Sequence, residues 1–286
     1  MNPAIRLRKL SEADLTFADA LRAQAGWNQT LDDWRRFLTL DGEGCFLAEW
    51  NGTPAGTATT TTYGPTLAWI GMVLVQEDYR QRGIGRALLQ QCISYLQNCG
   101  VRCIKLDATP AGKPVYESLG FRTEWTLARW EGVIEPSHHF GSATQPELWA
   151  PTDAERAESL DLSAFGISRQ RLLATLARDT GTARVVELGG KLAGYGMMRP
   201  GTRAVYLGPI VAESPGIATE LIEALFARAG TQRVYWDIPD PNTPAMGLAE
   251  KRGFIRQRSL TRMFWGENLA TGDPGKQFAL AGPELG

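Results

Sequence analysis

The sequence predicts a mixed α/β fold made of two similar domains in tandem, each a twisted mixed sheet flanked by helices. Three observations favour this prediction. The chain has 286 residues, which is long for a single domain. Amphipathic stretches with a helical period alternate with short segments rich in Val, Thr and aromatic residues. Motifs of the first half also return, in the same order, in the second half.

The first half predicts a strand, two helices, three strands, and then a helix, a strand, a helix and a strand. Ser11 and Asp14 have the spacing of a capping box, and Thr30 is placed to cap the second helix. The tight turn at Asn51 and Gly52 predicts a hairpin between the first two of the three consecutive strands. The predicted elements are a strand at 5–9, a helix from Ser11, a helix at 31–40, strands at 45–50, 55–63 and 68–75, a helix at 88–98, a strand at 103–107, a helix at 114–119 and a strand at 123–130.

The internal repeat sets the predicted domain boundaries. Residues 191–194 resemble residues 53–56, and residues 206–211 resemble residues 70–75. Gly253 follows Gly216 at the same separation as Gly120 follows Gly83. We therefore expect a first domain at 1–133, a proline-containing linker without periodicity at 134–152, and a second domain at 153–286.

Composition excludes several classes of function. The formal net charge is -1, without a run of Lys or Arg, so we expect no nucleic-acid partner. No stretch reaches the roughly 20 apolar residues that span a bilayer, and the first residues lack a signal-peptide core, so we expect a cytoplasmic protein without membrane contact. The 4 cysteines form no CxxC pair, which favours buried thiols over a metal site. Composition leaves the oligomeric state open.

Residues 68–89 carry the strongest functional signal. An apolar strand runs through a turn that holds Gly83 and Gly85 into an amphipathic helix. Such a turn directs free backbone N–H groups and the positive end of the helix dipole at one point, which suits a pyrophosphate. Arg80, Arg82 and Arg86 add positive charge. The spacing differs from both the dinucleotide fingerprint and the lysine-bearing P-loop.

On these residues the chain resembles the GNAT superfamily of N-acetyltransferases, whose acyl-CoA loop reads Arg/Gln-x-x-Gly-x-Gly/Ala. Arg80, Gly83 and Gly85 match that pattern. The resemblance spans residues 4–130 and implies acetyl-CoA as cosubstrate, with a splayed strand at 71–75 that binds the pantetheine arm. It implies the following acyl-CoA-binding residues: Met72, Val73, Val75, Arg80, Gln81, Arg82, Gly83, Ile84, Gly85 and Arg86.

The same resemblance implies a catalytic tyrosine. The family's motif ends Tyr-Glu-x-x-Gly-Phe, and the run from Tyr116 to Phe121 matches it. A phenol has an ordinary pKa near ~10 and can protonate a departing thiolate. Taken alone, an aromatic residue on a helix is more often packed on a sheet, but the spacing of Tyr116 from the glycine turn and the Gly-Phe ending favour it as the candidate general acid. The segment 106–112 resembles a subgroup of tandem GNAT proteins in which the first domain is the active one.

The second half lacks these features. Ala249 stands at the tyrosine position, and the shortened turn at 211–216 has no arginine and gains Glu213, which would repel a pyrophosphate. We expect a degenerate domain with a structural role that also closes one wall of an acceptor cleft. Trp236, Asp237 and Asp240 are candidates for facing such a cleft, or else belong to a solvated loop.

The acceptor is expected to be a small-molecule primary amine that attacks directly in a ternary complex. Trp27, Asn28 and Gln29 lie in the loop between the first two helices, where the family shapes its acceptor pocket. The general base stays open between ordered water, Glu49, a group of the second domain, and His138 or His139.

The alternative functions are acetylation of a sugar amine as in mycothiol synthase, acetylation of proteins or polyamines, and CoA binding by a non-catalytic module.

Overall fold

The structure is a computed structural model that describes residues 5–134 and 146–286. The chain forms two compact units. The first contains the residues up to Thr123, together with Met263–Leu269 and Glu284–Gly286, and the second contains Glu124–Arg262 and Ala270–Pro283. Each unit is a mixed sheet flanked by helices, which confirms the predicted fold class.

The first half of the chain follows the predicted order of elements, with small shifts at their ends. The Ser11 amide and hydroxyl both donate to the Asp14 carboxylate, at 2.9 and 2.7 Å, and Thr30 caps its helix by accepting from the Asp33 N–H. The elements are β1 (Ile5–Lys9), α1 (Leu15–Gln24), α2 (Leu31–Asp41), β2 (Phe46–Trp50), β3 (Thr53–Tyr63), β4 (Leu67–Val75), α3 (Ile84–Asn98), β5 (Cys103–Ala108), α4 (Lys113–Ser118) and β6 (Arg122–Ile134).

Strands β1 to β5 are consecutive neighbours in the sheet of the first unit. Pairing is antiparallel from β1 to β4, and β4 pairs with β5 in parallel because α3 forms the crossover between them. Helix α3 packs its apolar face, which includes Leu88, Cys92 and Leu96, on the sheet. Cys92 is one of the thiols expected to be buried, and burial raises its pKa well above the ordinary value.

Two boundaries differ from the sequence prediction. Helix α3 begins at Ile84 rather than at Leu88, because Gly83 takes the left-handed conformation of its N-cap and Gly85 is already helical. The strand predicted at 123–130 extends over Arg122–Ile134, and its residues from Glu124 onward group with the second unit. In turn, Met263–Leu269 groups with the first unit, where the Glu267 N–H donates to the Arg102 carbonyl at 3.1 Å.

The elements after β6 are β7 (Glu147–Leu148), α5 (Asp153–Arg156), α6 (Glu158–Phe165), α7 (Gln170–Thr180), β8 (Arg184–Leu188), β9 (Lys191–Arg199), β10 (Val205–Ala212), α8 (Pro215–Ala229), β11 (Gln232–Pro239), α9 (Thr243–Lys251), β12 (Ile255–Gly266) and β13 (Gln277–Ala279). The strands of the second unit lie in the order β12, with its residues up to Arg262, then β6, β11, β10, β9, β8 and β7. Strand β13 pairs with β10 outside that order.

A buried ion pair lies in the sheet of the second unit. Arg129 on β6 stands opposite Asp237 on β11, and its guanidinium donates two hydrogen bonds to that carboxylate, at 2.8 and 2.6 Å. The Tyr206 hydroxyl donates a third, at 3.0 Å. Asp237 and Trp236 are completely buried, so neither residue lies in the solvated loop that the sequence left open. Over residues 5–134 and 146–286, no helix is long and apolar enough to cross a bilayer.

Candidate functional site

Strand β4 carries a bulge where the family resemblance implies a splayed strand. Its register with β3 shifts between Thr57 and Thr59, so that β4 carries an extra residue, and Met72 takes a left-handed backbone conformation at φ 49°. The Thr57 hydroxyl supports the bulge by donating to the Met72 carbonyl at 3.0 Å. A bulge of this kind turns the backbone of the strand away from its regular pairing.

The parallel pairing of β4 with β5 ends early. It joins Leu67 to Cys103, Ala68 to Ile104 and Trp69 to Lys105, and no later pair joins these two strands in the part of the chain that the structure describes. Residues 70–75 of β4 therefore separate from β5. The two strands leave an opening in which an extended ligand could add to the β4 backbone.

The turn after β4 presents unpaired backbone donors. Gly83 is the N-cap of α3 at φ 84° and provides no side-chain cap, and Gln81 is also left-handed, at φ 60°. The first backbone hydrogen bond of the helix runs from the Ala87 N–H to the Gly83 carbonyl, at 3.0 Å. The N–H groups of Ile84 and the next two residues thus have no acceptor within the helix. Their direction and the helix dipole suit an anion.

The three arginines of the turn are exposed and held by neighbours of the first unit. Arg80 pairs with Glu77 at 3.0 Å, and Arg82 lies over the Trp50 ring at 5.1 Å. Arg86 donates to the Ser118 hydroxyl at 2.7 Å. Because Ser118 is the last residue of α4, this hydrogen bond ties the N-terminus of α3 to the helix that carries the candidate acid.

Tyr116 on α4 is half-buried beside the same region. Its ring contacts Phe121 edge-on, with centroids 6.0 Å apart, and packs against the core beneath α3. Burial and, to a smaller degree, the nearby Cys92 thiol raise the pKa of Tyr116 to about 12. Its hydroxyl donates no hydrogen bond to residues 5–134 or 146–286, which leaves the proton available to a ligand.

The loop between α1 and α2 is well anchored. Asn28 and Gln29 are buried, Trp27 is half-buried, and Arg22 fixes the loop by donating to the Trp27 carbonyl at 3.1 Å. The structure brings Gln29 to a residue that the sequence reasoning missed: the Gln29 Nε2 donates to Glu284 Oε2 at 2.8 Å. The two residues are 255 positions apart, and no local pattern at Glu284 signals the contact.

Glu49, His138 and His139 are the candidate general bases that the sequence names by residue. Glu49 is buried, and its carboxylate accepts from Arg8 Nε at 2.7 Å in a cluster that also includes Asp14. The Glu49 carboxylate therefore already has a charged partner within the first unit. His138 and His139 lie outside the described residues.

The corresponding region of the second unit is filled by the chain itself. Strands β10 and β11 pair in parallel only from Val205 to Leu207, as β4 and β5 do, but β13 lies against β10 beyond that point. The Leu280 N–H donates to the Asp237 carbonyl at 3.0 Å, and Trp236 Nε1 donates to the Phe278 carbonyl at 2.7 Å. The segment around β13 thus occupies the position that corresponds to the opening between β4 and β5.

The helix that follows β10 also differs from α3. Ser214 caps α8 by accepting from the Ile217 N–H, and Pro215 removes one donor at the first helical position. Glu213 beside this turn pairs with Lys276 at 3.0 Å. Ala249, at the position that corresponds to Tyr116, is buried in the core of this unit. These residues therefore provide neither an anion-binding turn like that of α3 nor a hydroxyl group like that of Tyr116.

Comparison with known proteins identifies the same family in both halves. Residues 10–121 match the family described as "Acetyltransferase (GNAT) family", and residues 157–279 match one described as "Acetyltransferase (GNAT) domain". The chain is 28% identical over 293 aligned positions to the uncharacterized N-acetyltransferase YitH of Bacillus subtilis, with 100% of both chains covered.

Two solved structures have a similar fold. A putative acetyltransferase from Pyrococcus horikoshii superposes with a TM-score of 0.84 at 22% identity, covering 100% of this chain and 97% of that one. A tandem GNAT protein from the clavulanic acid biosynthesis pathway gives a TM-score of 0.64 at 16% identity, covering 92% and 98%. At these identities the likeness concerns the fold.

Proposed function

This chain belongs to the GNAT superfamily of N-acetyltransferases and carries two GNAT domains in tandem, and from that premise we propose that its first unit acetylates a primary amine of a small molecule with acetyl-CoA. The observation that carries the proposal is the uncapped N-terminus of α3 beside the open edge of β4. Both features suit one extended, pyrophosphate-bearing ligand. We also infer that the protein acts in the cytoplasm.

The residues present fit acetyl-CoA. The N–H groups at the start of α3, with Arg80, Arg82 and Arg86, would hold its pyrophosphate. The backbone of Met72, Val73 and Val75 would hold the pantetheine arm in the manner of an added strand. The space beside Gly83 is open, since a Cβ added there would meet no atom within 4 Å, so a pyrophosphate can approach the turn. The positive φ of the turn favours glycine at this position.

The chemistry requires a polarised carbonyl and a proton for sulfur. Acetyl-CoA supplies the acyl group as a thioester when bound. The β4 backbone near Val73 is the candidate hydrogen-bond donor to the carbonyl, which stabilises the negative charge that develops on its oxygen. Tyr116 holds the proton that the departing thiolate takes up, because its raised pKa keeps the hydroxyl protonated.

The assay for this function follows thiol release from acetyl-CoA in the presence of primary amines, with tyramine, spermidine and glucosamine as the first panel. We expect thiol release that depends on an amine and yields its N-acetyl product by mass spectrometry. Binding of acetyl-CoA without acetylation of any amine would instead favour a non-catalytic CoA-binding module.

One acetyl-CoA site per chain is the first prediction, since β13 fills the corresponding opening of the second unit. Calorimetric titration of the whole chain is expected to give one site. Arg82→Ala removes a cation of the turn and should weaken binding by about tenfold. The matched change Lys276→Ala, beside the turn of the second unit, should alter neither affinity nor stoichiometry. Two sites per chain would contradict the assignment.

The pH dependence of the reaction is the second prediction. A group with a raised pKa keeps its proton up to that pKa, so Tyr116 stays a competent acid below about pH 12. We expect the rate at saturating substrates to show no falling limb from pH 7 to roughly pH 10. If the rate of the wild type fell with rising pH within this range, and the rate of Tyr116→Phe did not, the phenol would ionise there.

A further inference from the structure

Residues Glu284–Gly286 are seated inside the first unit, at the bend of β4. Glu284 is only 4% exposed. Its Cα, its Cβ and its carbonyl oxygen each lie 2.9 Å from the position that a Cβ on Gly71 would occupy, so β4 can hold only glycine there. The Tyr63 hydroxyl on β3 donates to the next carbonyl, that of Leu285, at 2.6 Å. The backbone of this segment is therefore fixed by two strands.

The Glu284 side chain reaches the loop between α1 and α2. Gln29 Nε2 donates to its carboxylate at 2.8 Å. This contact fixes the orientation of the Gln29 amide, because the flipped amide would direct one oxygen at another. Gln29 Oε1 is then a buried acceptor that receives no hydrogen bond within the described parts of the chain. A buried amide oxygen without a donor is costly, and a ligand N–H would satisfy it.

The position of this pair matters for the proposed reaction. Gly71 is the residue before the Met72 bulge and lies just beyond the last residue of β4 that pairs with β5. The Glu284 backbone thus touches the strand segment assigned to the thioester, while its carboxylate extends toward the loop assigned to the acceptor. The Glu284 carboxylate and the amide oxygen of Gln29, Oε1, are both hydrogen-bond acceptors, and such a pair suits an ammonium group.

We propose that Glu284 and Gln29 form the binding site for the ammonium group of the acceptor, and that Glu284 takes one of its protons. The inference rests on the proposed function of the first unit and adds the base that the sequence left open. It also restricts the acceptor to primary amines that are charged in solution, because an uncharged analogue would not bring the positive charge and the N–H donors that the carboxylate and the amide oxygen would bind.

Proton transfer in this step involves the acceptor, Glu284 and Tyr116. The Glu284 carboxylate removes one proton from the ammonium, and the freed lone pair forms the C–N bond to the acetyl carbon as the C–S bond breaks. The nitrogen loses a second proton to water. Sulfur leaves with the Tyr116 proton, which water restores, and the products are the amide, the thiol and one proton released from Glu284.

Glu284→Gln tests this assignment, because glutamine keeps the shape and can still accept from Gln29. We expect kcat/KM for the amine to fall by about 100-fold, since both a charge-assisted contact and a base are lost. The dissociation constant of acetyl-CoA, measured by calorimetry, should stay within about twofold, because the substitution changes only the side chain, whose proposed ligand contacts are to the acceptor alone. Glu267→Gln, an exposed change in the same unit, is the matched control and should leave both quantities unchanged.

Gln29→Leu gives a second measurement should the first variant not fold. It removes the amide oxygen and should raise KM for the amine by about tenfold, with little change in acetyl-CoA binding. An unchanged kcat/KM in Glu284→Gln, or an equal loss of acetyl-CoA binding, would overturn the assignment while the proposed function stands. A wild-type protein that acetylates no amine of the panel would overturn the proposed function itself.

Discussion

Tyr116→Phe is expected to lower kcat by a factor of about 100 to 10,000, the range typical of a lost general acid. The change deletes one oxygen and leaves the ring against Phe121. The hydroxyl also has no hydrogen-bond donor or acceptor role elsewhere in the described residues, so the fold loses nothing by its removal. The dissociation constant of acetyl-CoA should therefore stay the same.

The measurement pairs steady-state thiol release with calorimetric titration of acetyl-CoA. Tyr235→Phe is the matched control, since it removes a tyrosine hydroxyl from the second unit, where Gln257 donates to it at 3.2 Å. We expect the control to retain wild-type turnover. Turnover of Tyr116→Phe equal to that of the wild type would remove the phenol from the mechanism and leave α4 a purely structural helix.

Much of the candidate site could be proposed from the sequence because its residues lie in short local motifs. The turn at Gly83 follows from two glycines after an apolar strand, and the left-handed backbone at Gly83 explains why glycine is needed there. Tyr116 likewise lies in a short motif that ends a helix. Such features depend on neighbours within a few positions, where periodicity, caps and turn residues carry the information.

Contacts between distant segments could not be predicted. Glu284 contacts Gln29 and Gly71 across more than 200 positions of the chain, with 255 positions between Glu284 and Gln29, and nothing in its own segment indicates either partner. The same holds for β13, which is too short to be recognised as a strand and is stabilised by its place beside β10. Strand pairing of this kind is decided by tertiary contacts rather than by propensity.

The proposal that the second unit does not bind CoA rests on both the sequence and the fold. The sequence indicated it through the missing arginines, Glu213 and Ala249. The fold adds a physical reason, because β13 already satisfies the backbone of β10 that an extended ligand would need. We therefore expect that restoring arginines at the α8 turn alone would not create a second acetyl-CoA site.

Arg129→Met is expected to destabilise the protein by about 3 kcal/mol at pH 7, because it leaves the fully buried Asp237 carboxylate without its main partner. Arg258 also acts on this carboxylate and offsets part of the loss. Urea unfolding of the whole chain measures the change. Arg233→Met, which removes an exposed arginine paired with Glu131 at 3.0 Å, is the matched control and should cost less than about 1 kcal/mol.

The difference in unfolding free energy between wild type and Arg129→Met should depend on pH, and this dependence tests whether the charge of Arg129 is its cause. Burial by itself raises the pKa of Asp237, but the attraction and hydrogen bonds of Arg129 outweigh burial, so the pKa lies below its ordinary value. A lowered pKa contributes stability above the unfolded value of about 3.9, and this contribution is lost as the pH falls through the folded pKa. The gap between wild type and Arg129→Met should therefore be largest near neutral pH and narrow as the pH approaches about 4, where Asp237 of the variant becomes protonated. A gap that stays constant between pH 7 and 4 would mean that Arg129 stabilises the sheet by packing on Tyr235, 5.0 Å from the ring centroid, and not by its charge.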